Sequence, residues 1–119
     1  MRSCLIGREA KLAESLEIKK MRAAVRSGRI EWQRHALERM AERGILRDEV
    51  KDALLNGERI EDYPDDYPLP SALFMGRPKN RALHVVAAFN KATETAFVIT
   101  AYEPSLEQFE ADLRTRRER

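Results

Sequence analysis

His35, Arg39 and Arg43 recur at every fourth residue, so on a helix they stand one above another as a polar ridge beside an apolar stripe of Ala36, Leu37, Met40 and Ala41. Arginine presents a planar fork of donors that grips a phosphate bidentately, and imidazole has an ordinary pKa of about 6.5. The ridge can therefore hold a phosphate and exchange a proton beside it. The second histidine, His84, lies in the strand-like run Leu83-His84-Val85-Val86, and the next such run, Val98-Ile99-Thr100-Ala101-Tyr102, adds a hydroxyl and a phenol. With two histidines in all, acid–base chemistry has few other places to reside. Each residue also has an ordinary structural use. A mid-strand histidine between apolar neighbours serves equally as a core residue with a satisfied hydrogen bond, and His35 can be tied to a backbone carbonyl at its helix start. Arg39 can pair with Glu38, Glu42 or Asp48, and Tyr102 can cap the sheet edge.

Helices come first in the elements that must position these groups. Glu9 to Ser27 contains no proline or glycine, is rich in Ala, Leu, Glu, Lys and Arg, and stops at Gly28, which predicts a helix. Its apolar residues form two stripes, Leu12 with Leu16 and Ile18 with Met21 and Val25, enough for a core and a partner at once. Arg29 to Gln33 reads as a short strand. The ridge helix follows and ends at Gly44, with Ile45 folding back as a latch, and Asp48 and Glu49 favour a new helix start before Asn56-Gly57 ends it.

From Glu58 the period changes to two. Strands are expected over Glu58 to Tyr63, Ser71 to Gly76, Arg81 to Phe89 and Thr95 to Glu103, with three prolines keeping the Pro64 to Pro70 loop irregular. Short turns favour antiparallel neighbours. Alternation puts Ala82, His84, Val86 and Ala88 on one face of the third of these strands. In the fourth it sets Phe97, Ile99 and Ala101 against Val98, Thr100 and Tyr102. His84 can thus share a face with Thr100 and Tyr102 where the hairpin register allows, and Arg39 is expected at the edge of that surface. A last helix is expected from Ser105, whose Ser-x-x-Gln capping box precedes an apolar stripe of Leu106, Phe109 and Leu113. Its tail carries four arginines in six residues, which suits a helix C-terminus more often than a nucleic-acid contact.

The expected architecture is α+β, with N-terminal helices packed on a four- to five-stranded, mainly antiparallel twisted sheet and a helix to finish. A chain of 119 residues suits one domain, read as a helical extension over 1–27, a core over 28–104, and the final helix and basic tail over 105–119. Hydrophobic residues at 43% and charged residues at 35% describe a folded chain with a heavily charged surface. A net charge of +2 pulls nothing globally onto nucleic acid, so any basic patch is local. The single cysteine, Cys4, excludes an internal disulfide and, with two histidines, argues against a zinc site. No apolar stretch approaches the length of a membrane span, and Arg8 and Glu9 interrupt any leader-like run, so a cytoplasmic location without membrane contact is expected.

The order His-Ala-x-x-Arg-Met-x-x-Arg-Gly-Ile over 35–45, an acidic helix ending at Gly57, Leu-His-Val-Val over 83–86 and Ile-Thr-Ala-Tyr over 99–102 resembles the bacterial family called domain of unknown function 4258. The resemblance spans roughly Gly28 to Pro104. That family is similar in layout to the RelE-like and barnase-like ribonucleases of toxin–antitoxin modules, whose sheet carries the active-site residues. The resemblance implies a metal-independent endoribonuclease toxin with RNA as substrate, a cognate antitoxin as partner and no cofactor. RNA cleavage of this kind needs a base for the 2′-hydroxyl proton, an acid for the leaving 5′-oxygen and fixed positive charge at phosphorus. His35 or His84 can be base or acid, Arg39 with Arg43 can hold the phosphate, Thr100 can position it, and Tyr102 can orient it or donate a proton. The glutamates Glu31, Glu38 and Glu42 crowd the ridge helix and oppose phosphate unless they point away. A non-catalytic protein-interaction module on the same fold is the alternative, and the two-striped first helix also allows a homodimer.

Overall fold

The computed structural model describes residues 17–104. Helix α1, Ile18–Arg26, buries Met21, Ala24 and Val25 and ends at Gly28, whose φ of 83° is the left-handed turn that glycine adopts without strain. The companion stripe of Leu12 and Leu16 and the helix expected after Ser105 lie outside the described residues. Strand β1, Ile30–Trp32, leads into α2, Arg34–Arg43, which closes as the sequence suggested. Gly44 takes a φ of 67°, and the Ile45 N–H donates to the Met40 carbonyl at 2.9 Å with the Ile45 side chain buried. Helix α3, Arg47–Asn56, is capped from within, since the Leu46 N–H donates to Glu49 Oε1 at 2.9 Å.

Four longer strands follow: β2, Glu58–Tyr63; β3, Ser71–Gly76; β4, Leu83–Asn90; and β5, Thr95–Tyr102. A 3-10 turn, Pro78–Asn80, separates β3 from β4. The five strands form one sheet in the order β1-β5-β4-β3-β2. The sheet is mixed, which corrects the mainly antiparallel expectation, because β1 runs parallel to β5 through Ile30↔Ala96 to Trp32↔Val98. Turn length dictates the direction of consecutive strands only. Between β1 and β5 lie two helices and three strands, so their relative direction is free of that constraint.

The three described helices share one side of the sheet. Met21, Ala36, Met40, Val50 and Leu54 pack there against Phe74, Val85, Ala87, Val98 and Ala101. At the margin of this core the Arg47 guanidinium lies 5.7 Å from the Trp32 ring centroid. Arg22 spans the end of α3, donating from Nε to the Leu54 carbonyl at 2.8 Å and from Nη2 to the Gly57 carbonyl at 2.7 Å. Burial first, then Arg26 and Arg59, lowers its pKa from the ordinary arginine value. The two acceptors show why the charge is kept there: they are helix-end carbonyls that would otherwise lack partners. Among the described residues, no helix is long and apolar enough to cross a membrane.

Helix α3 docks on β3 so closely that two glycines are required. A Cβ on Gly57 would stand 2.4 Å from both the Ala53 and Met75 carbonyl oxygens, and one on Gly76 would stand 2.7 Å from the Ala53 Cα. Both obstacles are backbone. Gly57→Ala is therefore expected to cost about 1–3 kcal/mol, the scale of forced overpacking. Urea unfolding checks it, as a lower midpoint at unchanged slope.

Candidate functional site

On β4 the residues Leu83, Val85, Ala87 and Phe89 join the helix-side core, so His84, Val86, Ala88 and Asn90 point the other way. On β5 plain alternation fails. Ala87 pairs with Val98 but Val86 pairs with Thr100, leaving Ile99 as an extra residue in a bulge. Val98 and Ala101 consequently both enter the core, correcting the expected grouping of Val98 with Thr100 and Tyr102. Thr100 and Tyr102 are delivered to the face of His84. His84 and Tyr102 are direct cross-strand partners, with ring centroids 5.4 Å apart and planes tilted by 57°. The imidazole is wholly buried and the phenol half-buried.

Strand β2 adds three residues that sequence reasoning missed. The pairings Glu58↔Met75, Met75↔His84 and His84↔Tyr102 make one row across the sheet, and Glu61, Leu73, Val86 and Thr100 make the next. Glu58 and Glu61 are three residues apart, which alternation alone would put on opposite faces. A bulge between Arg59 and Glu61 brings them together and sends Arg59 and Asp62 to the other face, where they pair at 3.3 Å. Tyr63 then donates its hydroxyl to Glu61 Oε1 at 2.5 Å. Because Glu58 to Tyr63 is polar at nearly every position, only the bulge reveals which side chains face the site.

The ridge helix contributes less than its spacing suggested. Through Ala36 and Met40, α2 packs on the helix side of the sheet, so His35 and Arg39 belong to the layer across from His84, Thr100 and Tyr102. His35 is exposed, and Arg39 is drawn 3.4 Å from Glu42 on its own helix. Arg39 therefore does not stand at the edge of the His84 surface as expected, since local pairing and helix packing hold it elsewhere. Arg43 is different. Its Nη1 donates to the Ala101 carbonyl at 2.8 Å, next to Tyr102 and beyond Val98, where pairing with β1 has stopped.

A second arginine assembly, centred on Arg81, secures this end of the sheet. Arg81 Nη2 lies 2.6 Å from Glu49 Oε1 and 3.3 Å from the Gly44 carbonyl, and its Nε lies 3.2 Å from Glu103 Oε2. One side chain thus ties the end of α2, the start of α3 and the exit of β5. Its components are far apart in the chain, and no short motif announces them.

What the fold and site define is an α+β domain with helices on one face of a mixed five-stranded sheet. The other face carries the His84–Tyr102 pair, Thr100, the carboxylates Glu58 and Glu61, Tyr63, and the buried Ser71 opposite Ala88, a set that includes both proton donors and acceptors. The sequence profile of the family described as a domain of unknown function (DUF4258) matches residues 32–103, more than half of the chain, and the chain belongs to that family. Comparison with curated proteins and with solved structures gives no match.

Proposed function

We propose that this chain is a metal-independent endoribonuclease, a RelE-like toxin of a type II toxin–antitoxin module, working in the bacterial cytoplasm from the sheet face that holds His84 and Tyr102. The observation that carries the reading is the contact of these two rings at 5.4 Å, which places a proton acceptor beside a proton donor on rigid neighbouring strands. In this reading RNA binding uncovers His84, wholly buried in the free chain, which takes the 2′-hydroxyl proton as the oxygen attacks phosphorus, and the half-exposed Tyr102 gives its phenolic proton to the departing 5′-oxygen. Thr100 positions the strand. Arg43 spends one donor on the Ala101 carbonyl and offers the others to the phosphate. A cognate antitoxin is the partner that would keep such an activity silent.

The second reading, a non-catalytic interaction module, is favoured by one specific observation. His84 and Leu73 are wholly buried and Met75, the partner of His84 on β3, is only 6% exposed, so the imidazole has no open surface of its own. RNA incubated with the purified chain separates the two. The nuclease reading expects cleavage in excess chelator, products ending in a 2′,3′-cyclic phosphate, and none when the scissile nucleotide carries a 2′-hydrogen, since the nucleophile is then absent. Cleavage of that 2′-deoxy substrate would exclude the mechanism. An inert chain that neither cleaves RNA nor arrests growth when expressed supports the interaction module.

A further inference from the structure

Toward the other end of the same face, the sheet and the loop between β2 and β3 enclose a groove of about 640 Å³. Its floor is Ala88, Phe97 and Ile99, and its wall includes Tyr67 and Leu69. Tyr67 is 94% exposed, a whole aromatic ring held at the mouth of a cavity that has another ring, Phe97, on its floor. The rim is polar but uncharged except at one point: Gln33 and Asn90 bring amides, and Asp66 a carboxylate. No lysine or arginine lines the groove among the described residues, so it suits a flat, uncharged ring better than a phosphate.

We infer that this groove is a base-binding subsite that takes one unpaired guanine of a single-stranded RNA. The inference rests on RNA being the ligand, as proposed above, but not on catalysis. Single-stranded RNA is read by splaying a base onto aromatic side chains and hydrogen-bonding its edge, and Phe97 with Tyr67 supply the stacking surfaces. The polar groups select the base. A carboxylate only accepts hydrogen bonds, and guanine alone among the four RNA bases offers two adjacent donors, N1–H and the N2 amine, on its pairing edge. Ser71 Oγ donates to Asp66 Oδ2 at 2.5 Å, which holds the carboxylate in place while leaving it acceptor capacity. Asn90 Oδ1 is engaged by the Ala92 N–H at 2.9 Å and the Thr93 N–H at 3.4 Å, so the amide's NH2 group remains as the donor for guanine O6. Ala88 and His84 are four residues apart on β4, about 13 Å along the strand. One short oligonucleotide can therefore reach both places.

The test uses the full chain and two uncleavable 2′-O-methyl tetranucleotides, uridine throughout except for one guanine or one adenine, followed by fluorescence anisotropy. The guanine strand is expected to bind roughly 10-fold tighter or more, the scale of a bidentate edge contact. Tyr67→Ala, which alters an exposed ring and leaves the core intact, should weaken it roughly 10-fold, the scale of one lost stacking surface. Asp66→Asn should erase the preference for guanine. Equal binding of both strands, no binding of either, or affinities indifferent to both substitutions would overturn the subsite. Unmodified RNA keeps the two proposals apart. A guanine preference without cleavage sustains the groove and defeats the nuclease, whereas cleavage without a preference does the reverse.

Discussion

Arg81→Met is expected to destabilise the folded chain by about 3 kcal/mol or more, the scale of stranding a buried charge. The cause is Glu49, whose side chain is only 7% exposed and whose Oε1 lies 2.6 Å from the Arg81 guanidinium. Without that partner the carboxylate is left in a poorly solvated position, and the link from Gly44 and Glu103 to the start of β4 is lost with it. Adding Glu49→Gln should recover much of the loss. The amide oxygen can still accept from the Leu46 N–H that Glu49 now caps, and no charge is left unpaired. Urea midpoints of the two single variants and the double variant decide it. Equal midpoints for Arg81→Met and the native chain would mean that Glu49 is solvated well enough to need no arginine.

Under the ribonuclease reading, His84→Ala should lower the cleavage rate by roughly 10²- to 10⁴-fold, the contribution of one positioned acid or base. Because His84 is wholly buried, the truncation also leaves a cavity, and lost activity alone would not separate chemistry from folding. His84→Gln fills most of that volume and keeps polar atoms without a titrating ring. It should stay folded at a cost of about 1–3 kcal/mol, the scale of a buried amide whose groups are not all partnered, while remaining as inactive as the alanine variant. Tyr102→Phe keeps the ring contact with His84 and removes only the hydroxyl, so a comparable loss there would assign the proton donor. Full activity of the glutamine variant would take His84 out of the chemistry and leave it as a core residue.

Local rules made much of the helical half readable. Gly28 and Gly44 end helices because each takes a positive φ that other residues resist, and Ile45 closes over the last turn of α2 as the glycine before it implies. Short runs bounded by Gly57, the prolines of the 64–70 loop, the Arg77–Asn80 turn and the Asn90–Glu94 turn likewise located β2 through β5 to within two residues, because turn residues interrupt a strand wherever they stand.

The sites divide along a different line. The sequence by itself determined which residues could do acid–base chemistry and that His84 and Tyr102 belong to neighbouring strands, since the histidines are two and the connecting turn is short. It could not determine that those two rings meet, because one residue more or less in β5 turns every later side chain to the opposite face. The bulge at Ile99 decides that, and the bulge after Arg59 decides that Glu58 and Glu61 face the same way. Both bulges depend on which strand lies alongside, a property of the assembled sheet. Tertiary packing likewise separated Arg39 from Arg43, although both stand on the same helical ridge. Arg39 is drawn to Glu42 of its own helix, while Arg43, one turn further along α2, reaches the Ala101 carbonyl at the point where β1 has ended and β5 offers a backbone acceptor.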